Sequence, residues 1–592
     1  MRFLVWIAVG RTFITAFVPY KQSTGCGSTA FSSSACCLQQ VSTPDATTTC
    51  KNKEQRAIKA KKTWQTIALQ PTKNIIESIS MAEASTIHNP DLFQNFMSTK
   101  GTYYLNGLAS CQVGDRIMHP FEAHGHCKSM VFDGQGSLHL TSHLIETPLT
   151  QKEIQTNQPV ARGVMSTLAD PTTLWGMLQN ALSPTERDTA NLVASLWPPP
   201  SEATGITTNP LLITCTDNGE PYVLDPKTLK TKGKLTEVVP KLGSILDGKK
   251  CLAHTRYDPV RKHWILCVNE MDIPGENYMG NSTMIFYELD INFDVVSSRS
   301  YTTRFMVFHD WVITENYYVV PQNPARIKWA ELGKFLLGAT VGTDIFGMEE
   351  ATNGAFLLIP RHDPNQPVRV VETDAFFNLF HFGPCFEKDN AIVLHGSVFD
   401  RYEFGGEMGF DGPTQTFDPI AWGSSGGKAP PPRLDKFVID STTFELTAKT
   451  RIPIVDPFSG QDIPVDMPTF RGDAIECRYA YFLGACRPEG WFPFRSIVKL
   501  DLETYETHNW DAGEEQVVSE PMWVPKSSEE NKLDEGFVLS VVHDAETKSC
   551  RLNVWDAVTF DQGPIASVPL GALTPWCVHG SWTPEYNPGK IS

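Results

Sequence analysis

The segment RFMVFHDWVITENYYVVPQNP, residues 304–324, determines the fold class that we predict for this chain. It is dense in aromatic and β-branched residues, a composition typical of a buried strand rather than of a helix. His309 lies in the middle of this segment, and because side chains alternate along a strand it shares a face with Val307 and Trp311. A single histidine on an apolar strand is usually a core residue, so His309 alone does not indicate a metal site.

Three further histidines occur in similar apolar settings. They are His254 in AHTRYDP, His381 in FFNLFHFGPCFE and His579 in CVHGSW. His309 follows His254 by 55 residues, His381 follows His309 by 72, and His579 follows His381 by 198. Together the four histidines predict a metal site made of imidazoles alone.

Seven strand–turn–strand patterns along the chain each have an aspartate at the turn. The seven residues are Asp133, Asp225, Asp290, Asp363, Asp440, Asp501 and Asp556. Aspartate suits such a turn because its side chain accepts a hydrogen bond from the backbone two residues on. The turns recur at intervals of about 70 residues, a period typical of propeller blades with insertions. We therefore predict an all-β, seven-bladed β-propeller, with an irregular β-sandwich or stacked sheets as the alternative. In a propeller, one histidine from each of four inner strands would meet on the axis.

Composition sets limits on the class of protein. The 592 residues are enough for a large core, and the many short apolar runs favour an all-β chain. The net charge of −17 makes a nucleic-acid partner a poor fit. The 14 cysteines form no CxxC pairs, so we interpret most of them as reduced core thiols.

Residues 1–76 differ from the rest of the chain. They carry a net charge of +8, begin with an apolar stretch too short to span a membrane, and continue rich in Ser and Thr. We interpret residues 1–76 as a targeting presequence and linker, and residues 77–592 as the seven-bladed propeller domain. The Phe17-Val18-Pro19 arrangement resembles the bipartite plastid presequences of algae with secondary plastids, and a secretory signal is the alternative.

Two helices are predicted in one insertion. Asp170 with Pro171 predicts a helix over 171–182, and a capping box at Ser183–Glu186 predicts a second over 184–197. Both carry apolar stripes, made of Leu174, Trp175, Met177, Leu178, Ala181 and Leu182, and of Leu192, Val193, Leu196 and Trp197. The stripes either pack on the propeller or lie in a membrane surface, where the protein would be peripheral and not spanning.

Four neutral imidazoles suit a borderline divalent metal such as Fe²⁺. They add no negative charge and so favour the ferrous state, and a six-coordinate ion would keep two positions for O₂. Zinc prefers four ligands and has no redox chemistry. Each ligating histidine needs an acceptor for its other ring nitrogen, so we expect acidic residues on other inner strands. His124 and His126 also form a metal-like pair, but at alternate positions on a loop edge we expect both to face solvent.

From about residue 95 to its end, the chain resembles the carotenoid cleavage oxygenases. The resemblance rests on GTYYLNGLA at 101–109, AHTRYDP at 253–259, FHDWVITENYYVVPQNP at 308–324, SEPMWVPK at 519–526 and HGSW at 579–582. It implies a seven-bladed propeller with Fe²⁺ on its axis, beneath a dome of helices and loops.

The resemblance also implies roles for particular residues. The implied iron ligands are His254, His309, His381 and His579. The carboxylates implied to orient them are Glu520, as in the family, and Asp217 and Asp466, where the family has Glu. Aspartate is one methylene shorter, so these bonds are expected to be longer, bridged by water or compensated by the backbone. Thr208, in TTNPLL, is implied to lie beside the open iron positions.

The implied activity is that of a non-haem Fe(II) dioxygenase that uses O₂ to cleave a conjugated C=C bond of a carotenoid or apocarotenoid into two carbonyl products. Members of this family commonly dock on membranes through apolar helices, which favours the membrane interpretation above. The alternatives are a stilbene-cleaving oxygenase or a retinoid-type isomerase on the same fold, and a non-catalytic propeller that binds carotenoid. The presence of all four histidines favours an enzyme.

Overall fold

The structure, a computed structural model, describes residues 46–584 with gaps. The gaps are residues 186, 199–209, 218, 273–279, 350, 401–409, 412–415, 418–430, 457–459, 486–491 and 527–534. The chain divides into two compact units, residues 1–50 and 51–592. Of the first unit, only the start of the helix Ala46–Ala68 is described.

Seven antiparallel sheets form the blades of a propeller, which confirms the predicted fold class. Each blade runs from an innermost strand at the axis to an outermost strand at the surface. Blade 1 consists of Cys577–Pro584, Lys100–Gly107, His126–Asp133, Ser137–Leu144 and Ile75–Ser80. Blade 2 consists of Val193–Trp197, Leu211–Cys215, Tyr222–Leu224 and Thr231–Lys234. Blade 3 consists of Arg256–Asp258, His263–Asp272, Asn281–Leu289 and Val295–Arg304.

The remaining blades follow the same plan. Blade 4 consists of Val312–Ile313, Tyr317–Gln322, Ala355–Pro360 and Arg369–Glu372. Blade 5 consists of Asn378–Phe382 and Phe386–Lys388, which both pair with Ala391–Phe399, followed by Arg433–Asp440 and Leu446–Ile452. Blade 6 consists of Val465–Thr469, Tyr479–Gly484, Ser496–Asp501 and Thr507–Asp511. Blade 7 consists of Gln516–Val518 and Met522–Pro525, which both pair with Gly536–Asp544, followed by Ser549–Asp556, Ala566–Ala572 and Thr86–Ile87.

Besides the seven blades, the structure contains helices and two-stranded ribbons. The α-helices in the described part of the chain are Ala46–Ala68, Met81–Ala84, Pro90–Met97, Pro148–Thr156, Leu174–Leu182, Leu235–Val238, Gly243–Leu246 and Trp329–Leu336. The 3₁₀ turns are Pro120–Glu122, Pro240–Leu242, Gly342–Ile345 and Phe560–Gln562. The two-stranded ribbons pair Gln112–Val113 with Arg116–Ile117, Ala325–Ile327 with Phe346–Met348, and Phe410–Asp411 with Thr416–Phe417.

The predicted aspartate turns are present in all seven blades. In each, the aspartate Oδ1 accepts a hydrogen bond of 2.7–3.0 Å from the backbone N–H two residues on. Each turn joins two neighbouring outer strands of its blade, which confirms the repeat that the sequence indicates.

The ring closes where the last of the described strands enters the first blade. Cys577–Pro584 pairs antiparallel with Lys100–Gly107, with Tyr103 opposite Trp582. This strand becomes the innermost strand of blade 1, and it carries His579 to the axis.

Of the two predicted helices, one forms and one does not. The first is confirmed as Leu174–Leu182, and its N-cap is Thr173, whose Oγ1 accepts the N–H of Gly176 at 3.0 Å. The second prediction is wrong, because Val193–Trp197 is the innermost strand of blade 2, paired with Leu211–Cys215. Before it, Ala190 has φ +48°, which a right-handed helix does not allow. Leu192, Leu196 and Trp197 are buried, so the stripe predicted there belongs to the interior.

The propeller core includes residues that precede its first full blade. In the helix Ala46–Ala68, Trp64 is fully buried, with its ring centroid 4.8 Å from that of Phe492 and 5.9 Å from that of Trp576. Next along the chain, Ile75–Ser80 adds a fifth strand to blade 1. The targeting role of residues 1–76 stays a prediction, but the later part of that range contributes to the packed unit.

Replacing Trp64 by alanine is expected to lower the free energy of unfolding by about 3–5 kcal/mol, because it leaves a cavity where a buried indole was. Denaturant titration followed by tryptophan fluorescence and circular dichroism measures this. Ile58→Ala on the same helix is the control, since Ile58 is 62% exposed and its truncation is expected to cost less than about 0.5 kcal/mol. Equal effects of the two substitutions would contradict the packing of Trp64.

Candidate metal centre

The four histidines singled out in the sequence meet at the propeller axis. Each lies on the innermost strand of its blade or a few residues before that strand. They are His254 in blade 3, His309 in blade 4, His381 in blade 5 and His579 in blade 1. One ring nitrogen from each histidine lies within 4.8 Å of the corresponding nitrogens of the other three.

Three of the imidazoles are held by carboxylates through their Nδ1 atoms. The pairs are His309 with Asp217 at 2.6 Å, His381 with Asp466 at 2.8 Å, and His579 with Glu520 at 2.9 Å. A carboxylate accepts, so each Nδ1 carries the proton and each Nε2 keeps a lone pair. The three acidic residues implied by the resemblance are thus the residues that the structure brings to the histidines.

Two of these carboxylates also hold the backbone beside a histidine. Asp217 Oδ1 accepts the N–H of Ala253, the residue before His254, at 2.7 Å. Glu520 Oε2 accepts the N–H of Gly580 at 3.0 Å, while its Oε1 binds His579. Each carboxylate therefore fixes both a ring orientation and the main chain near a ring.

The shorter aspartate side chains make direct hydrogen bonds. The bonds from His309 to Asp217 and from His381 to Asp466 are no longer than the bond to Glu520. The strand carrying Asp466 has a register shift directly after this residue, and Met467 has φ +49°. The direct bond to Asp466 thus occurs beside an irregularity of its strand, whereas the expectation that the bonds would be longer is wrong for both aspartates.

His254 is held differently. The nearest carboxylate oxygen, on Asp310, lies 3.9 Å from its Nδ1, too far for a hydrogen bond. Instead, Trp311 Nε1 donates to the backbone oxygen of His254 at 3.0 Å, and Arg256 Nε donates to the backbone oxygen of Trp311 at 2.7 Å. Arg256 also forms a salt bridge with Asp310.

Sequence reasoning missed this Arg256–Asp310 pair. Asp310 is buried, and its Oδ2 accepts the N–H of Phe382, the residue after His381, at 2.8 Å. The pair therefore links the segments that carry three of the histidines. A charge directly after His309 in an otherwise apolar segment is the signal that could have revealed it.

Burial and neighbouring charges set the protonation of the cluster. Burial and the other three histidines hold the pKa of His254 well below its usual value. Burial alone would lower the pKa of His309, but the Asp217 charge outweighs it and the pKa is raised. Burial alone would raise the pKa of Asp217 and Asp466, but the histidine facing each one lowers it. At neutral pH both aspartates are thus ionised acceptors, and His254 is neutral with a lone pair available to a metal.

The donor set fits a metal ion. His254 Nε2 and His309 Nε2 lie 3.0 Å apart, and His381 Nε2 is buried without a hydrogen-bond partner among the described residues. Two ring nitrogens at this distance either share a proton or bind a common cation. Four neutral nitrogen donors suit a borderline divalent ion.

Two cavities reach this cluster. The first, about 320 Å³, touches His309, His381 and His579 and is lined mainly by apolar side chains. These include Phe121, Met165, Leu192, Leu252, Phe380 and Val578. The second, about 440 Å³, touches His254, His381 and His579 and contains the charged residues Arg256, Asp310 and Asp473. Thr208 falls within the gap at 199–209, outside the described residues, so its role stays a prediction.

The expectation that His124 and His126 face solvent is wrong. Both are buried. His124 Nε2 lies 3.1 Å from Glu153 Oε2, and its Nδ1 lies 3.0 Å from Thr150 Oγ1. His126 begins the third strand of blade 1, where burial lowers its pKa well below the usual value. The sheet buries the loop edge that was expected to be open.

The fold and the four-histidine centre define the class of the protein. The family model described as retinal pigment epithelial membrane protein matches residues 98–584. That match covers most of the 592 residues, so the chain belongs to this family, and its resemblance to the carotenoid cleavage oxygenases is confirmed.

Individual relatives agree with this assignment. The chain is 24% identical over 490 residues to the apocarotenoid-15,15'-oxygenase of Synechocystis sp., covering 82% of this chain and 90% of the relative. It is 26% identical over 557 residues to carotenoid cleavage dioxygenase 7, chloroplastic, of Oryza sativa subsp. japonica, covering 82% and 86%. The solved structure of the cobalt-substituted Synechocystis apocarotenoid oxygenase superposes with a TM-score of 0.73 at 21% identity, over 88% of this chain and 98% of that one.

Glu520→Gln is expected to weaken metal binding by about 10- to 100-fold, as for other partners of ligating histidines. The amide has one acceptor for two donors, the Nδ1–H of His579 and the N–H of Gly580. Competition with a chelator of known affinity measures the change. Glu514→Gln is the control, because Glu514 pairs with Lys59 on the surface. An unchanged affinity in Glu520→Gln would show that the ring of His579 is oriented by another group.

Proposed function

We propose that the protein is a non-haem Fe(II) dioxygenase that cleaves a conjugated C=C bond of a carotenoid or apocarotenoid. The observation that carries this proposal is the convergence of four imidazoles, three of which line a mainly apolar cavity. Relatives named for carotenoid and apocarotenoid cleavage support the substrate class. The reaction converts one C=C bond and one O₂ into two carbonyl groups, so it balances without a further reductant.

The residues of the centre hold and orient the metal. His254, His309, His381 and His579 would be the ligands, with Asp217, Asp466 and Glu520 keeping three of the rings in place. Bound Fe(II) supplies the redox chemistry that activates O₂. The cleavage requires no proton transfer by a side chain, which agrees with a cavity wall that is mainly apolar.

The apolar cavity provides the binding site for a rod-shaped polyene. The ring of Phe380 stacks on that of His309, with centroids 4.5 Å apart and planes at 13°. This stacking fixes the wall beside the metal centre. Apolar walls exclude water and favour a hydrocarbon chain over a polar substrate.

We also propose that the protein docks on a membrane surface through an apolar helix pair, Leu174–Leu182 and Trp329–Leu336. The first helix exposes Leu174, Trp175, Leu178 and Leu182, by 84%, 68%, 47% and 78%. The second, which sequence reasoning missed, exposes Trp329, Leu336 and Leu337 at its ends. Asn180 Nδ2 donates to the backbone oxygen of Gly338 at 3.0 Å and joins the two.

The apolar helix pair lies next to the apolar cavity. Thr343 lies in the 3₁₀ turn that follows the second helix, and its backbone N–H donates to the backbone oxygen of Val164 at 2.7 Å. Both of these residues line the cavity, as does Phe346. A surface that enters the lipid headgroups here would place the cavity where a water-insoluble substrate is dissolved.

A plastid location is the third part of the proposal, and a secretory location is its alternative. The basic, Ser- and Thr-rich residues 1–76 support it, as do relatives from plants whose names call them chloroplastic. Within the described residues, no helix combines the length and the apolar character needed to cross a bilayer.

His309→Ala is expected to abolish iron binding and cleavage together, because three imidazoles leave a weak site. Iron is measured by mass spectrometry of the purified protein, and products are identified as aldehydes or ketones by mass after incubation with a panel of carotenoids. His362→Ala is the control, since His362 is exposed and its Nε2 forms a hydrogen bond with the backbone oxygen of Glu315. Full iron and activity in His309→Ala would remove this residue from the metal site. If the wild-type protein binds carotenoid tightly but contains no iron and forms no products, the alternative of a non-catalytic, carotenoid-binding propeller would be favoured.

A variant that combines Leu174→Gln, Leu178→Gln and Leu182→Gln is expected to lose binding to liposomes. It should keep its fold and its iron, because these side chains are already exposed. Cleavage of carotenoid held in liposomes should slow more than cleavage in detergent. Val558→Gln, at a 55% exposed apolar residue in blade 7, is the control. Unchanged liposome binding in the triple variant would contradict docking through this pair.

A further inference from the structure

A third cavity lies between blades 5 and 6 and has no function in the proposed cleavage. Its volume is about 860 Å³, larger than that of either cavity that reaches the histidines. Phe386 and Lys436 line it from blade 5, and Tyr479 and Tyr481 line it from blade 6. The four histidines of the metal centre are not among the described residues of its wall, so this space is distinct from the metal site.

Two positive side chains in this wall have no partner of opposite charge in the described part of the chain. Lys436 lies opposite His395 in blade 5, and Arg471 follows the innermost strand of blade 6. Both are half-buried, and neither side chain donates a hydrogen bond to any residue that the structure describes. A guanidinium has five N–H donors and an ammonium has three. Half-burial removes part of their water, and the described protein supplies no acceptor in its place.

The other charged groups of the wall are already paired. Glu476 Oε1 accepts a hydrogen bond from Lys388 Nζ at 2.6 Å. Arg478 donates from Nε and Nη2 to Asp501 Oδ2 at 3.0 and 2.9 Å, and a carboxylate oxygen of Glu503 lies 3.8 Å from the same Nε. Within the described wall, the two unpaired cations thus leave a positive charge in a protein whose net charge is −17. A concave site of this sign attracts anions.

Aromatic side chains form much of the remaining wall. Tyr479, Tyr505 and Trp523 are half-buried, whereas Phe386 and Tyr481 are buried. Such rings pack well against another planar group and remove it from water. The cations can donate charge-assisted hydrogen bonds, which suit the oxygens of phosphate and carboxylate groups. The wall therefore offers both kinds of contact that an anion with a flat ring requires.

We propose that the third cavity binds a small organic anion that carries a planar ring. Its phosphate or carboxylate group receives hydrogen bonds from Lys436 and Arg471, and its ring packs among the aromatic side chains. This binding is a function separate from C=C cleavage and involves no covalent step. Arg471 and Trp523 also line the charged cavity that reaches the metal centre, so the anion lies beside that cavity.

Calorimetric titration of the metal-loaded, full-length protein tests the proposal with two probes, a nucleoside monophosphate and an aromatic carboxylate. At least one of them is expected to bind. Each probe is compared with its uncharged ring compound and with its anionic group alone, inorganic phosphate or acetate. Both comparison compounds should bind about 10-fold more weakly or less, because each makes only one of the two kinds of contact. Binding of the anion should also weaken as salt is added.

Lys436→Met and Arg471→Gln are each expected to weaken binding of the probe by about 10- to 100-fold, the range for a hydrogen bond that involves a charged group. Lys241→Met and Arg451→Gln are the matched controls, because both cations form salt bridges at the surface and neither lines the cavity. Their affinities should equal that of the wild type. Circular dichroism reports folding, and if Arg471→Gln misfolds, Lys436→Met decides.

The outcomes separate this inference from the proposed function. If neither probe binds at millimolar concentration, or if Lys436→Met and Arg471→Gln bind as tightly as the wild type, the proposal is overturned. Equal affinity for inorganic phosphate and the nucleoside monophosphate would overturn the part played by the rings. Binding of only one probe supports the site and identifies its anionic group. Each of these results leaves the dioxygenase proposal standing, because that proposal is tested by His309→Ala.

Discussion

The hydrogen bond between an imidazole Nδ1 and a carboxylate is the interaction on which the centre of this molecule depends. Three such bonds, from His309, His381 and His579, fix which ring nitrogen carries the proton and where the other one points. Without them, buried imidazoles could rotate or exchange tautomers, and four Nε2 atoms would not converge. The acids come from blades other than those of the histidines they bind, so the blades must keep their spacing for any one ring to stay in place.

The seven-bladed ring supplies that spacing. Each blade places an innermost strand at the axis, and the histidines use four of the seven. The closure of blade 1 by Cys577–Pro584 makes the ring rigid and completes the centre at the same time. The two cavities that reach the centre differ in their walls: one is lined mainly by apolar side chains, and the other includes the charged residues Arg256, Asp310 and Asp473.

The parts of the structure that could be predicted are those set by local chemistry. The turn aspartates, such as Asp133, reveal the blades because each one hydrogen-bonds within its own turn. The histidines were recognisable because a polar ring in an apolar strand is unusual and the pattern occurs four times. The segment Val193–Trp197 was misread because its apolar residues fit a helix as well as a strand, and pairing with Leu211–Cys215 decided between them. The salt bridge between Arg256 and Asp310 was overlooked because its partners are far apart in the chain, and no local pattern records such a contact.

The closing strand has a consequence for biosynthesis. In chain order, His579 follows every other residue of the centre, so its strand is synthesised after the strands that carry the other three histidines. Blades 2 to 7 can form while translation continues, but blade 1 waits for its innermost strand. The fourth imidazole therefore joins the other three only when this strand has been synthesised and has paired in blade 1. A chain that stops before Cys577 would lack the innermost strand of blade 1 and the fourth histidine of the centre.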